Sequence, residues 1–300
     1  MKSLIALFAA LGLCIAPAAA QTRDSAEPAL WVVQDEDTTI FLFGSVHVLK
    51  PDTVWFDDDV KAAFDRSDEV MLEVVEPDPR VMQATVIKLA IDPDGPPLSQ
   101  KLTAEARTKY QRAMNGVGIP WEAFEKFEPW MAALTLAVAP LAQLGYSDAV
   151  GVEKVVTRAA QAAGKPISGL ETVEGQLGLF DTLPEDQQIA FLNATVDEMG
   201  GMEEEFTKLI ADWSAGRPEA LAALMNDSME ATPEIAQVLL FNRNANWAKQ
   251  IKARMEKPGT VFIAVGAGHL AGAKSVQDQL KALGIKSQRI DMKWFEKAER

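Results

Sequence analysis

Side chains that commonly carry chemistry are scarce in this chain. Its 300 residues include one cysteine and two histidines. Cys14 lies in an apolar N-terminal stretch that reads as a cleaved targeting segment, so the mature chain is expected to hold no thiol. That excludes disulfides, a thiol nucleophile and a thiolate metal site, and leaves stability to the core. Positive charge is short as well. Lys and Arg number 29 against 43 Asp and Glu, a net charge of −14. An acidic surface with no basic block argues against nucleic acid and anionic membranes as partners. There is no Gly-x-Ser-x-Gly elbow for a nucleophilic serine and no Gly-x-x-x-x-Gly-Lys phosphate loop. Gly266-Ala267-Gly268 follows an apolar run but lacks the third glycine of a dinucleotide fingerprint.

No apolar run is long enough to span a bilayer. Residues 1–20 have the parts of a signal peptide: Lys2, an apolar centre from Leu4 to Ile15, and Ala18-Ala19-Ala20 before Gln21. Leu13 before Cys14 is too large for a usual lipoprotein cleavage site, which favours soluble export to the periplasm or beyond. After cleavage no transmembrane segment is expected. Trp130–Leu144 is strongly apolar but short, and Pro140 interrupts it, so it reads as a buried or groove-facing helix. The hydrophobic fraction of 48% is ample for a core. With no low-complexity linker, residues 21–300 read as a single domain.

What is present is a repeated phrase. Thr39-Ile40-Phe41-Leu42-Phe43 runs into Gly44-Ser45-Val46-His47. Thr260-Val261-Phe262-Ile263-Ala264-Val265 runs into Gly266-Ala267-Gly268-His269. Each is an apolar strand closed by Gly-x-x-His, and together they use both histidines of the chain. A histidine after a strand is often only a satisfied core or surface residue. Two in matching contexts, with no others, point to one shared site near the ends of neighbouring strands.

Strand patterns over 29–34, 38–43, 68–74, 167–170, 260–265 and 286–292 alternate with helical ones, the latter filling the middle of the chain. A helix is expected over 148–163 and another over 271–283. The fold class is therefore α/β in the mixed α+β sense: a central mixed sheet flanked by helices, with a large helical insertion capping the site.

Glu73 ends a buried strand, where an unpaired charge is costly, and it completes a ligand set with His47 and His269. Two His and one Glu with an open position suit zinc, and the same donors suit manganese or cobalt. Two histidine ligands predict that metal is lost below about pH 6.5 with a two-proton dependence. Glu171 either assists proton transfer or closes a capping box with Ser168. Arg243, on a helix before the second motif, either holds a substrate carboxylate or oxyanion or makes a helix-face salt bridge.

The segments FGSVHVL and VFIAVGAGHLAG resemble the two signatures of the TraB/PrgY/GumN family, which includes the Tiki proteases. Met71-Leu72-Glu73, Gly169-Leu170-Glu171-Thr172 with Gln176, and Arg243-Asn244-Ala245-Asn246-Trp247 extend the likeness along most of the mature chain. The bacterial GumN-like branch is the nearest in pattern. The resemblance implies a manganese- or cobalt-dependent metallopeptidase with a peptide or small-molecule substrate. On that reading His47, Glu73 and His269 are the metal ligands and Glu171 and Arg243 are catalytic. Arg243 and Asn244 would contact substrate, and Gly44 and Gly266 are the motif glycines. The alternative it allows is a non-catalytic haem-, metal- or peptide-binding protein of the same fold. An exopolysaccharide accessory role rests on the family name alone. Departures from the pattern are Glu153 in Gly151-Val152-Glu153, where relatives often have Gly-x-Asp, Val74-Val75 in place of a second acid after the strand, and Asn242 in place of Glu before Arg243.

Overall fold

The computed structural model describes residues 25–230 and 233–298; the expected signal peptide at 1–20 lies outside the described residues. Six strands form one sheet: β1 (Leu30–Gln34), β2 (Thr38–Ser45), β3 (Glu69–Val74), β4 (Ile167–Glu171), β5 (Gly259–Gly266) and β6 (Gln288–Ile290), in the order β4-β3-β5-β2-β1-β6. The four strands β4, β3, β5 and β2 are mutually parallel, while β1 is antiparallel to both β2 and β6. The expected mixed sheet is therefore present. The hairpin β1–β2 turns through Asp35, whose side chain accepts from the Thr38 amide at 2.9 Å.

Helix α1 (Asp58–Arg66) joins β2 to β3. The helical middle is two excursions separated by β4, where the sequence suggests one insertion. Between β3 and β4 run α2 (Pro79–Ala90), α3 (Leu98–Lys101), α4 (Ala104–Gly116), α5 (Pro129–Gln143) and α6 (Val152–Ala162). Between β4 and β5 run α7 (Val173–Asp181), α8 (Glu185–Glu198), α9 (Met202–Ser214), α10 (Pro218–Glu230), α11 (Pro233–Ala236) and α12 (Asn242–Arg254). Helix α13 (Val276–Ala282) precedes β6, and α14 (Met292–Ala298) follows it.

Strand alternation divides the core. From β2, Phe41 and Phe43 pack with Phe262 of β5, α1 and α6 on one face. Ile40 and Leu42 pack with Ile263, Trp247 and α13 on the other. A third cluster lies outside the sheet, where Leu136 of α5 meets Tyr110 of α4 and Leu192 of α8. The apolar Trp130–Leu144 stretch thus contributes a helix with Trp130 and Leu136 fully buried. Among the described residues no helix is long and apolar enough to cross a membrane.

Two helix expectations need correction. The helix expected over 148–163 is broken at Gly151, which is extended (φ −60, ψ 154) because α6 starts hard against the His47 backbone; a Cβ on Gly151 would stand 2.0 Å from the His47 carbonyl oxygen. The helix expected from 271 starts only at Val276. Gly272 and Lys274 take left-handed backbone (φ 68 and 58), which a continuing helix cannot include, and Ser275 then caps α13.

Candidate functional site

Parallel pairing puts the carboxyl ends of β4, β3, β5 and β2 along one sheet edge, the place where open α/β sheets bind ligands. Each of these strands delivers a residue singled out above: Glu171 ends β4, Glu73 lies near the end of β3, and His269 and His47 follow β5 and β2. The two Gly-x-x-His phrases are neighbours but staggered by one residue, since Ser45, not Gly44, pairs with Gly266. Gly44 permits their contact: a Cβ there would press on the backbone of Ala267 at 3.1 Å. Gly266 donates its amide to Glu73 Oε2 at 3.1 Å.

His269 sits in a 3₁₀ turn, Ala267–Leu270, and is 6% exposed. Its Nδ1 meets Asn244 Oδ1 at 2.6 Å, and Asn244 Nδ2 donates to the Lys274 carbonyl at 2.9 Å. With the amide oriented that way, the ring proton is on Nδ1 and Nε2 carries a lone pair. Burial drives the pKa of His269 down to about 3, with Arg243 and His47 adding to the drop and Glu73 opposing it.

That lone pair faces Arg243 Nη1 at 3.2 Å. Arg243 enters from the first turn of α12, directly after a π-helical turn at Gln237–Phe241. Its Nη1 also donates to the Leu239 carbonyl at 2.9 Å. Nε and Nη2 donate to Glu171 at 3.0 and 2.9 Å, and Nη2 also donates to Glu73 Oε1. All five guanidinium N–H groups are therefore engaged by the protein. Trp247, one turn on, lies under the guanidinium at 4.8 Å, donates its Nε1 to Glu171 Oε1 at 2.9 Å and packs on the His269 ring at 4.3 Å. Glu73 also accepts from Gln176 Nε2. Burial pushes the Glu73 carboxyl up, but the charge and hydrogen bond of Arg243, with the Gly266 amide, outweigh it and hold it below the usual carboxylate range.

His47 is built differently. Its side chain is 71% exposed, and Nδ1 meets Glu153 Oε1 at 2.9 Å. Ser45 Oγ donates to the same oxygen at 2.5 Å. The hydrogen bond with Glu153 raises the His47 pKa to about 9, helped by the charges of Glu153 and Glu73. Glu153 in turn stays below the usual carboxylate range, because its contacts with His47 and Ser45 overcome its own burial. The charge of His47 acts on His269, and those of Glu73 and Arg243 act on His47, so the two motifs share one electrostatic centre.

Several roles differ from those expected. Asn244 is fully buried with both ends of its amide taken, so it orients His269 and cannot reach substrate. Arg243, as arranged, has no N–H to spare for a substrate carboxylate or an oxyanion. The Ser168–Glu171 capping box is not formed: both residues lie in β4, and Thr172 caps α7 by accepting from the Gly175 amide at 3.0 Å. Glu153 was legible only as a mismatch in the Gly-x-Asp position, yet it supplies the acid that position calls for. Gln176 appeared in the pattern without a role and binds Glu73.

A divalent ion suits the donors in kind. His269 Nε2 is neutral, Glu73 is ionised, and Nε2 of His47 has no partner among the described residues. Both histidines have Nδ1 tied to an oxygen acceptor, as metal-ligating histidines do. As the side chains stand, though, Arg243 occupies two of those donors, and no group of three His, Cys, Asp or Glu among the described residues is gathered closely enough to hold an ion.

A family model described as TraB/PrgY/gumN matches residues 29–289. The chain is 24% identical over 184 residues to the uncharacterized protein YbaP of Escherichia coli (strain K12), covering 61% of this chain and 68% of that one. It is 20% identical over 272 residues to an uncharacterized protein of Treponema pallidum (strain Nichols), covering 85% and 80%. No solved structure matches it.

Proposed function

The chain belongs to the TraB/PrgY/gumN family, and from that premise we propose that it is an exported, metal-dependent hydrolase of peptide or amide bonds. The observation that supports this most is the matched presentation of its two histidines. Each has Nδ1 held by an oxygen, Glu153 for His47 and Asn244 for His269, so that Nε2 is the nitrogen offered to the site. His47, His269 and Glu73 would hold the ion, manganese, cobalt or zinc. When bound it would supply Lewis acidity that lowers the pKa of water.

The protein's own groups do the rest. Glu153 fixes the His47 ring and takes up its positive charge while the site is metal-free. Glu171, with Trp247 and the Leu239 carbonyl, keeps the guanidinium of Arg243 beside the reacting edge. The guanidinium can then stabilise developing negative charge once one of its present contacts is released. Arg243 and the Gly266 amide keep Glu73 ionised, and Gln176 helps to fix it in place.

The experiment is peptide hydrolysis by chelator-treated protein, with manganese, cobalt or zinc added back, beside His47→Gln and His269→Gln. Activity that is restored by metal and absent in both variants supports the reading. Undiminished activity in either variant overturns it. Haem binding fits less well, because His269 Nε2 faces Arg243 at 3.2 Å instead of open space.

A further inference from the structure

Beyond Arg243 on the β4 side lies a cavity of about 460 Å³, within the range of small-ligand sites. Its walls are Leu170 at the end of β4, Leu179 of α7 and Val238 of the π-helical turn. Its rim carries Asn242 and Asn246, one turn apart on α12. Glu171 and Arg243 line it, but His47, Glu73 and His269 do not, so it adjoins the reacting centre without containing it.

Two independent features mark it as a binding space. Helix α7 is rich in apolar residues, with Val173, Leu177, Leu179 and Phe180 in nine positions, yet none of its residues is fully buried. Phe180 of this helix stacks on Trp130 and Phe191, but Leu179 is turned to the open volume instead, a gap that a packed core does not leave without cost. The second feature is the π-helical turn on the opposite wall. Such turns recur at functional sites, and this one carries Val238 into the cavity and sets the Leu239 carbonyl on Arg243.

The chemistry of the walls selects the occupant. The two charges on the lining, Glu171 and Arg243, are paired with each other, so the cavity offers no unbalanced charge to an ionised side chain. Asn246 makes no side-chain hydrogen bond among the described residues and is free to bind a peptide group. We infer that this cavity is a specificity subsite for a large, uncharged apolar side chain of the substrate, with the adjoining peptide group on Asn246. Placing it next to the scissile bond rests on the hydrolase reading; the binding itself does not.

Val238→Trp and Leu179→Trp fill the space without touching the histidine centre. Peptides that differ at one position, Leu or Phe against Gly or Lys, are compared as substrates. The variants should lose at least tenfold in kcat/KM on the Leu and Phe peptides and keep their activity on Gly. Equal losses on all peptides, or no loss, would overturn the subsite. Methyl NMR of the wild-type chain with N-acetyl-leucinamide, N-acetyl-glycinamide and N-acetyl-lysinamide separates the two claims. Shifts at the Leu179 and Val238 methyls with the leucine compound alone establish the subsite even if no peptide is cleaved. Their absence refutes it even if hydrolysis is found.

Discussion

Asn244 fixes the chemistry of His269. Its carboxamide oxygen takes the Nδ1 proton at 2.6 Å while its amide nitrogen is held by the Lys274 carbonyl, so the lone pair on Nε2 is turned to the site. Replacing Asn244 with Ala leaves the buried ring N–H of His269 without a partner, while the carbonyl of the exposed Lys274 can turn to water. The expected cost is about 1–3 kcal/mol of stability for the orphaned ring N–H. Loss of the orienting partner should also weaken metal affinity by roughly 10–100-fold. Denaturant unfolding and chelator competition measure the two effects. Unchanged affinity would show that His269 is not a ligand.

On the metal-dependent reading, Arg243 and the ion would compete for the same donors, Glu73 and His269. In metal-free Arg243→Gln, Glu73 and Glu171 lose their buried cation. Breaking such a pair costs about 3–5 kcal/mol. Manganese should recover part of that loss and bind this variant more tightly than wild type. Thermal melts with and without manganese test both effects, and a variant that binds manganese no better than wild type would refute the competition.

Metal uptake should depend on pH through one proton, where composition alone suggests two. His269, with its pKa near 3, is already neutral above that value; His47, near 9, must lose its proton first. Affinity should therefore climb by about tenfold per pH unit up to about 9 and then level off. Chelator competition from pH 6 to 10 gives the slope. In Glu153→Gln the plateau should begin at lower pH.

Stability should be greatest near pH 6.5 as far as these two histidines are concerned. The folded pKa of His269 lies below its unfolded value of 6.5, so its contribution is complete above 6.5 and shrinks as pH falls toward 3. The slope approaches 1.4 kcal/mol per pH unit from this buried ring. The folded pKa of His47 lies above 6.5, so its contribution is complete below 6.5 and disappears as pH rises through 9. Glu73 and Glu153, both held low, add acid sensitivity only within the carboxylate range. Denaturation midpoints of wild type and His269→Gln between pH 5 and 6.5 isolate the histidine effect, which the variant should lack.

Gly151→Ala should separate α6 from the first motif. The new Cβ would stand 2.0 Å from a backbone carbonyl that cannot yield cheaply. A destabilisation of about 1–3 kcal/mol is expected, with His47 displaced from Glu153. Gly116→Ala, where a Cβ meets nothing within 4 Å, should instead be neutral or stabilising by up to about 1 kcal/mol. Unfolding curves of the two variants give the comparison.

Much of the sheet was open to reading in the chain. Apolar runs punctuated by glycine and proline mark β2, β3 and β5 because buried parallel strands need largely apolar sequence, while the edge strand β4 is shorter and more polar. The histidines stand out by their scarcity and matched context. Glu73 is marked by being a charge at the end of such a run. Gly151 was invisible as a helix breaker, since its extended backbone answers to His47, more than a hundred positions away.

Local composition therefore determined which segments become strands, that four of them carry a His or Glu at or close to their carboxyl ends, and that the histidines are paired in kind. Those are short-range consequences of side-chain volume and polarity. Only the tertiary structure decided that the four strand ends lie along one edge, that Glu153 serves His47 and Asn244 serves His269, and that Arg243 stands on Glu73 and His269. The physical reason is that hydrogen-bond partners and desolvation depend on which distant groups packing brings within about 3 Å. The same two histidines, alike in sequence, were driven to opposite protonation states by burial on one side and a carboxylate on the other.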